Sequence, residues 1–452
     1  MAGRLYTGLY KYSSKKSDKQ EAINIYKRIM KRFPKSRYRF KAKSALTALT
    51  AKGIKKKASV KRTQKKKKKS KPSKTTITGL RFWSNRSYTR IVVDADKETP
   101  YIHRLLKKDP SIKKPQRLYL DLDNSRLKKG IIQTIPINDN LLKNARAAQY
   151  DHDSVRVAID IKSFKTYKIF SLKNPFRIVI DVWGRDINKT YPKKSPVLAK
   201  KHTRVAPGSL TKQLALGVRR IVIDPGHGGR DYGAPGYLKG IHEKNIVLQI
   251  AKKLAKKIKA RLHCEVIMTR KDDRYMTLEE RTAFANTKNA DLFISIHTNA
   301  ARDRRACGIE TYFLNLATDS DAILVAAREN ATSAKNISDL EAILSDLMQN
   351  AKINESSRLA TYVQKALYKN MKKKYSKIKN KGVKQAPFYV LLGAQMPAIL
   401  IETSFISSPR ECKRLKTTKY QEHICDSIID GLKKYIRTTN STAFLRHNPH
   451  SS

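Results

Sequence analysis

Apolar and polar positions alternate through "RLYLDLD": Leu118, Leu120 and Leu122 fall on one side, and Tyr119, Asp121 and Asp123 on the other. The same alternation runs through "RIVVDAD", "SVRVAIDI" and "RIVIDVW". A period of two marks strands with one face in a core, and several such strands at short spacing predict a small antiparallel β-domain over 76–186. A period of three to four governs other stretches. In "EKNIVLQIAKKLAKKI", Ile246, Ile250, Leu254 and Ile258 share one helical face. "SSRLATYVQKALYKNM" and "ICDSIIDGLKKYI" read as further helices, while "RRIVIDPG", "CEVIMTR", "DLFISIHTNA", "IETYFLN" and "PAILIETSF" read as strands. Strand-like and helix-like segments alternating over 218–437 predict an α/β domain, followed by a flexible tail at 438–452.

The first fifty residues predict a helical hairpin. Ala22, Ile25, Tyr26, Ile29, Met30 and Phe33 recur at helical steps, Ser17 and Gln20 form a capping-box pattern, and Pro34 stops the helix. A second helix carries Tyr38, Ala42, Ala45, Leu46 and Leu49. The pair resembles one tetratricopeptide-type repeat, which needs a neighbour to bury its apolar face. The segment 51–75 holds 12 lysines in 25 residues, with almost nothing apolar to bury, and is expected to be a disordered linker. Its core at 52–74 could tether the chain to an anionic wall polymer or lipid surface, or serve only as a solvated spacer. A second basic, proline-containing linker is expected at 187–217.

Charge reinforces that expectation of an anionic partner. The chain has 452 residues with 97 Lys and Arg against 37 Asp and Glu, a formal net charge of +60. Such an excess attracts nucleic acid, acidic lipid or wall polymer without choosing among them. Zinc-finger spacing, an RRM signature and a basic region with heptads are all missing, so no specific nucleic acid is expected. Four widely spaced cysteines form no C-x-x-C pair and are expected to be buried thiols. The start, "MAGRLYTGLYKYSSKK", shows no secretory signal.

Candidate chemistry lies in the α/β domain. His227 follows the strand at 220–224, Glu243 opens a helix, His297 ends "DLFISI", and Glu402 ends "PAILI". Open α/β sheets bind ligands at the carboxyl ends of their strands, so these residues can meet at one rim. Two histidines and a carboxylate suit catalytic zinc with one open position, and Glu402 could serve as the base for a water. Each residue alone is ordinarily a hydrogen-bonded or solvated group; the ordered set raises the case. No G-x-S-x-G elbow or activated cysteine supports a covalent route.

"IVIDPGHGGRDYGAPG", "HEKNIVLQIAKKL", "VIMTRKDD", "LEERTAFAN", "DLFISIHTNA", "GIETYFLN", "GVKQAPFYVL" and "PAILIETSFISSPRE" occur in an order that closely resembles the zinc-dependent N-acetylmuramoyl-L-alanine amidases called Amidase_3. "ITGLRFWSNRSYTRIVVDAD" through "FRIVIDVWG" resembles the AMIN domain, a β-module that targets such amidases within the envelope. The resemblance implies a twisted mixed sheet flanked by helices, zinc on His227, Glu243 and His297, and Glu402 as the catalytic glutamate. It further implies cleavage of peptidoglycan between N-acetylmuramic acid and the first L-alanine of the stem peptide. Ser404, Ser408 and Thr298 replace residues usual in the family and could reshape the site wall.

Residues 316–354 form an insertion containing "RENA" and, at 338–348, helical spacing of Leu340, Ile343, Leu344, Leu347 and Met348 behind a Ser338/Glu341 capping box. In division-associated members a helix here covers the zinc until an activator protein pulls it away. Glu329 is the expected metal-blocking residue, against the plainer reading of a solvated surface glutamate. The resemblance implies a role in daughter-cell separation and a periplasmic or envelope location. The competing class is a catalytically inert basic binding protein.

Overall fold

The computed structural model describes residues 73–108, 115–184, 217–317, 319–333 and 352–447, with isolated helical positions at 20, 23–28, 30, 46 and 336. The expected hairpin, both linkers and the 338–348 helix therefore lie largely outside the described residues. The chain divides into two units, Met1–Lys71 and Pro72–Ser452; both structured domains below belong to the second.

Among the described residues, ten strands build the first domain: β1 (Thr75–Ser84), β2 (Tyr88–Ala95), β3 (Tyr101–Leu106), β4 (Gln116–Asp123), β5 (Ser125–Leu127), β6 (Thr134–Pro136), β7 (Leu142–Gln149), β8 (Ser154–Ile161), β9 (Thr166–Leu172) and β10 (Phe176–Trp183). They form two sheets, β5-β1-β2-β10-β9 and β3-β4-β8-β7-β6, antiparallel except where β1 meets β5. Leu118, Leu120 and Leu122 of β4 enter the core between the sheets with Ile91, Val93, Ile178 and Ile180, as the alternation predicts. The first sheet departs from the half-buried expectation. In β10 every residue but Trp183 is buried, because Arg177, Val179 and Asp181 on its outer face are covered as well.

The cover is the α/β domain. Its strands are β11 (Arg220–Pro225), β12 (Glu265–Met268), β13 (Leu292–Asn299), β14 (Ile309–Leu314), β15 (Asn380–Ala386) and β16 (Ala398–Phe405). They stand in the order β12-β11-β13-β16-β14-β15, with β14 antiparallel to β16 and the other pairs parallel. The helices are α1 (Glu243–Leu262), α2 (Leu278–Thr287), α3 (Ser320–Glu329), α4 (Ile353–Lys374), α5 (Pro409–Leu415) and α6 (Thr418–His447). Helix α6 continues through positions 438–447, which the sequence pattern alone assigns to a tail.

Alternation again assigns the faces. Ile221, Ile223, Ile294, Ile296, Ile399 and Ile401 pack with α1, α4 and α6. Val222, Phe293, Ala398 and Leu400 point the other way, into a second core shared with α2, α3 and the segment 386–396. Val92, Phe170, Leu172 and Val179 of the β-domain complete that second core. All four cysteines are free and buried.

Candidate metal centre

Four strands present their carboxyl ends at one rim, and the loops there are held by charge. Arg270 donates to the carbonyls of Pro225, Gly226 and Lys244 at 3.0, 2.7 and 2.9 Å. Arg281 bonds Asp224 at 2.9 Å and the His227 carbonyl at 2.7 Å. Asp224 also accepts from Thr269 and Ser295. Burial alone would raise its pKa, but Arg281 and these hydroxyls hold it below the ordinary carboxylate value. The clamp fixes His227 in the left-handed region, at φ +58°, where a non-glycine residue needs support from its surroundings. Gly226 allows the loop to pass directly against His297: a Cβ there would lie 2.3 Å from the imidazole Cε1.

Glu243 is the first residue of α1, where the partial positive charge of the helix N-terminus favours a carboxylate. Its two oxygens accept from the backbone N–H groups of Thr298 at 2.8 Å and Ala234 at 2.9 Å. His242 is only the N-cap, stacked edge-on against Tyr232, and His263 is the C-cap. His297 and Glu402 do not end their strands as the sequence pattern suggests. They lie within β13 and β16 and sit opposite each other in register.

Glu243 meets His227 Nε2 at 3.1 Å and His297 Nδ1 at 3.2 Å. Glu329, the last residue of α3, brings its Oε2 to 3.3 Å from His227 Nε2 and 3.0 Å from His297 Nδ1. Ligand atoms of these four residues all lie within 4.8 Å of one another. Glu402 is fully buried, and neither of its oxygens has a hydrogen-bond partner; His227 Nε2 and Glu329 Oε2, although in charged contact with their neighbours, likewise form no hydrogen bond. Buried polar atoms are normally satisfied, so the unsatisfied His227 Nε2 and Glu329 Oε2 in the four-residue cluster fit a cation that their lone pairs would bind.

Electrostatics favour a cation there. Burial works against charge on His297, yet Glu329 and Glu243 overcome it and push its pKa up to about 10. Glu243 is driven down to about 2: burial opposes this, and His227 leads the groups that outweigh it. Burial together with the negative charge of Glu329 raises Glu402 well above its usual value, with Arg328 opposing.

Three residues of this centre escaped the sequence reading. Asp231 bonds His227 Nδ1 at 2.9 Å, which fixes the ring and leaves Nε2 to face the cluster. Its i,i+4 offset from His227 was the one signal available. Arg328 bonds Glu329 at 2.9 Å and the Asn299 side chain at 3.1 Å. Asn330 donates to the Pro387 carbonyl and accepts from the Tyr389 N–H, both at 2.8 Å, anchoring the end of α3. Of the family departures, Ser404 bonds Tyr420 at 2.7 Å, Ser408 is the N-cap of α5, and Thr298 presents its N–H to Glu243.

A parallel-centred sheet with two imidazoles and two carboxylates gathered at its rim places a candidate metal site in an α/β domain. Residues 221–434 match the Amidase_3 family of N-acetylmuramoyl-L-alanine amidases, and residues 79–168 match the AMIN domain. The chain is 31% identical over 387 residues to N-acetylmuramoyl-L-alanine amidase AmiC of Escherichia coli O6:H1, covering 79% of this chain and 89% of that protein. It is 30% identical over 393 residues to AmiC of Neisseria meningitidis serogroup B, covering 80% and 90%. A solved N-acetylmuramoyl-L-alanine amidase from Clostridium difficile 630 aligns at 32% identity over 49% of this chain and 97% of that one, with a TM-score of 0.38. The chain belongs to the Amidase_3 family, with an N-terminal AMIN domain, and is an N-acetylmuramoyl-L-alanine amidase.

Proposed function

We propose that this amidase uses zinc held by His227, Glu243 and His297, with Glu402 as its base, and that the described conformation is closed by Glu329. The observation that carries the reading is the convergence of those four candidate ligand groups within 4.8 Å, with Glu402 directly across the strand pair from His297. When bound, zinc would acidify a water and polarise the amide carbonyl. The protein's own groups do the rest. Glu402 accepts the proton of the attacking water at a carboxylate oxygen and delivers it to the L-alanine nitrogen as the C–N bond breaks. Glu243, held by two backbone N–H groups, stays ionised and in place; Asp231 holds the His227 ring.

The substrate is peptidoglycan, so the workplace is the cell envelope, and the periplasm in an organism with an outer membrane. AmiC-like architecture supports a role in daughter-cell separation. A closed site requires an activator protein that shifts the 316–354 insertion. The lysine-rich segment 52–74 is assigned to an anionic wall polymer or lipid surface on charge alone. The domains are assigned to 1–50, 76–186 and 218–437, with helix α6 carrying the last of them on to 447.

Purified peptidoglycan incubated with the zinc-loaded chain should release stem peptides bearing a free L-alanine amino terminus, and Glu402→Ala or chelation should abolish that release. Folded, zinc-loaded protein that releases none, even after Glu329→Ala, overturns the proposed mechanism.

A further inference from the structure

The outer face of the AMIN β1-β2-β10-β9 sheet is consumed by the catalytic domain. Arg90 and Asp181, each 1% exposed, form an ion pair at 2.6 Å, and Arg90 extends past it to the carbonyls of Glu279 and Leu392. Arg81 pairs with Glu279 at 2.8 Å. Asn85 donates to the carbonyls of Asn286 and Thr287 at the end of α2. Buried, multiply bonded contacts of this kind require one defined docking geometry. They differ from what a loosely tethered targeting module would make.

The sheet docks against α2 and the segment 386–393, and that segment holds the end of α3. Asn330, adjacent to Glu329, is bonded to Pro387 and Tyr389. Val92, Phe170, Leu172 and Val179 share one apolar core with Phe388–Leu392 and with Ala322, Val325, Ala326 and Ala327 of α3. The link is also direct. Asn174, in the turn between β9 and β10, donates to Thr332 Oγ1 at 3.0 Å, three residues beyond Glu329.

We propose that the β1-β2-β10-β9 sheet of the AMIN module is the back wall of the autoinhibitory latch: by packing its outer face on residues 386–393 and bonding Thr332 from its β9–β10 turn, it keeps Glu329 on the histidines. Undocking the module therefore frees the site. This rests on the reading of Glu329 as the closing residue. It gives the AMIN module a second task besides location, since a ligand that competes for the outer face of this sheet becomes an activating signal. Packed interfaces are suited to such coupling because they hold one of two discrete arrangements.

The test uses the full chain without metal and reads backbone hydrogen exchange at residues 322–332. Phe170→Ala removes apolar contact from the shared core, and Asn174→Gly removes the Thr332 bond at a positive-φ position that glycine tolerates. Exchange at Asn330, Ala331 and Thr332 should rise at least tenfold in the double variant and severalfold in Asn174→Gly alone, which touches no core. With zinc, peptide release should rise severalfold towards that of Glu329→Ala. If exchange at β2 and β10 shows the module loosened while 322–332 is unchanged, the latch role of the AMIN sheet is wrong even though Glu329→Ala activates. If Glu329→Ala does not activate, the closure reading fails, and the exchange result then reports only mechanical coupling.

Discussion

Arg328 Nη2 stands 3.6 Å from Glu402 Oε1, so two adjacent residues of α3 engage the site at once: Glu329 meets the histidines and Arg328 approaches the proposed base. A substrate amide needs both groups free. Removing either contact should raise basal peptide release, with Glu329→Ala raising it about tenfold or more, because a well-placed charged contact contributes on the order of 1.5–3 kcal/mol. Arg328→Ala should give a smaller gain. Arg328→Lys should resemble Arg328→Ala, because one ammonium cannot reproduce the guanidinium's simultaneous bonds to Glu329 and Asn299. A loss of zinc-dependent release in Glu329→Ala contradicts this assignment.

Asp231 bonds the far nitrogen of His227 through one carboxylate oxygen and accepts from the Gly233 N–H at 3.1 Å through the other. Asp231→Asn should weaken zinc affinity about 10–100-fold, the usual effect of losing a carboxylate behind a ligating histidine. The fold should survive, since Asp231 is half exposed at the surface. Competition titration against a chromogenic chelator measures this directly, and unchanged affinity would remove Asp231 from the site.

Gly226 leaves no room for a side chain against His297. Gly226→Ala should displace the loop or the imidazole by about an ångström and cost about 100-fold in peptide release, with far-ultraviolet circular dichroism unchanged. Equal activity would mean that the loop and His297 are not mutually positioned.

Glu411 supplies a pH dependence away from the metal centre. Burial raises its carboxyl to about 7 although the backbone N–H groups of Phe405 and Gly308 oppose the shift. The folded state therefore favours the protonated form. The associated stability is full below the ordinary value of 4.5 and is lost as pH rises through 7. The loss approaches about 3 kcal/mol. Urea midpoints between pH 5 and 8.5 should fall with rising pH in the parent chain, and Glu411→Gln should flatten that dependence. A profile equally steep in both chains would assign the effect to another group.

The strands and helices of the catalytic domain were legible because their periods are enforced by cores on both faces of one sheet; Ile221, Val222 and Ile223 alternate between them. His227, Glu243, His297 and Glu402 were legible as an ordered set, although His297 and Glu402 lie within their strands and not at the ends the pattern suggests. The interdomain face was not. Val92 and Val179 look like ordinary strand residues, and Arg90 and Asp181 read as solvent-facing charges until the partner surface that buries them is known. Arg328 and Asn330 escaped for a related reason: their partners, Asn299, Pro387 and Tyr389, are remote in sequence, and no local pattern encodes such pairs.

The most direct measurement is zinc-edge X-ray absorption on the zinc-loaded chain beside Glu329→Ala. The expected result is a shell of light N/O donors only, at about 2.0–2.2 Å, with two imidazoles and two protein carboxylates in the parent, and one carboxylate replaced by solvent oxygen in the variant. Sulfur in the first shell, or identical spectra for the two proteins, would contradict a centre built on His227, Glu243 and His297 and closed by Glu329.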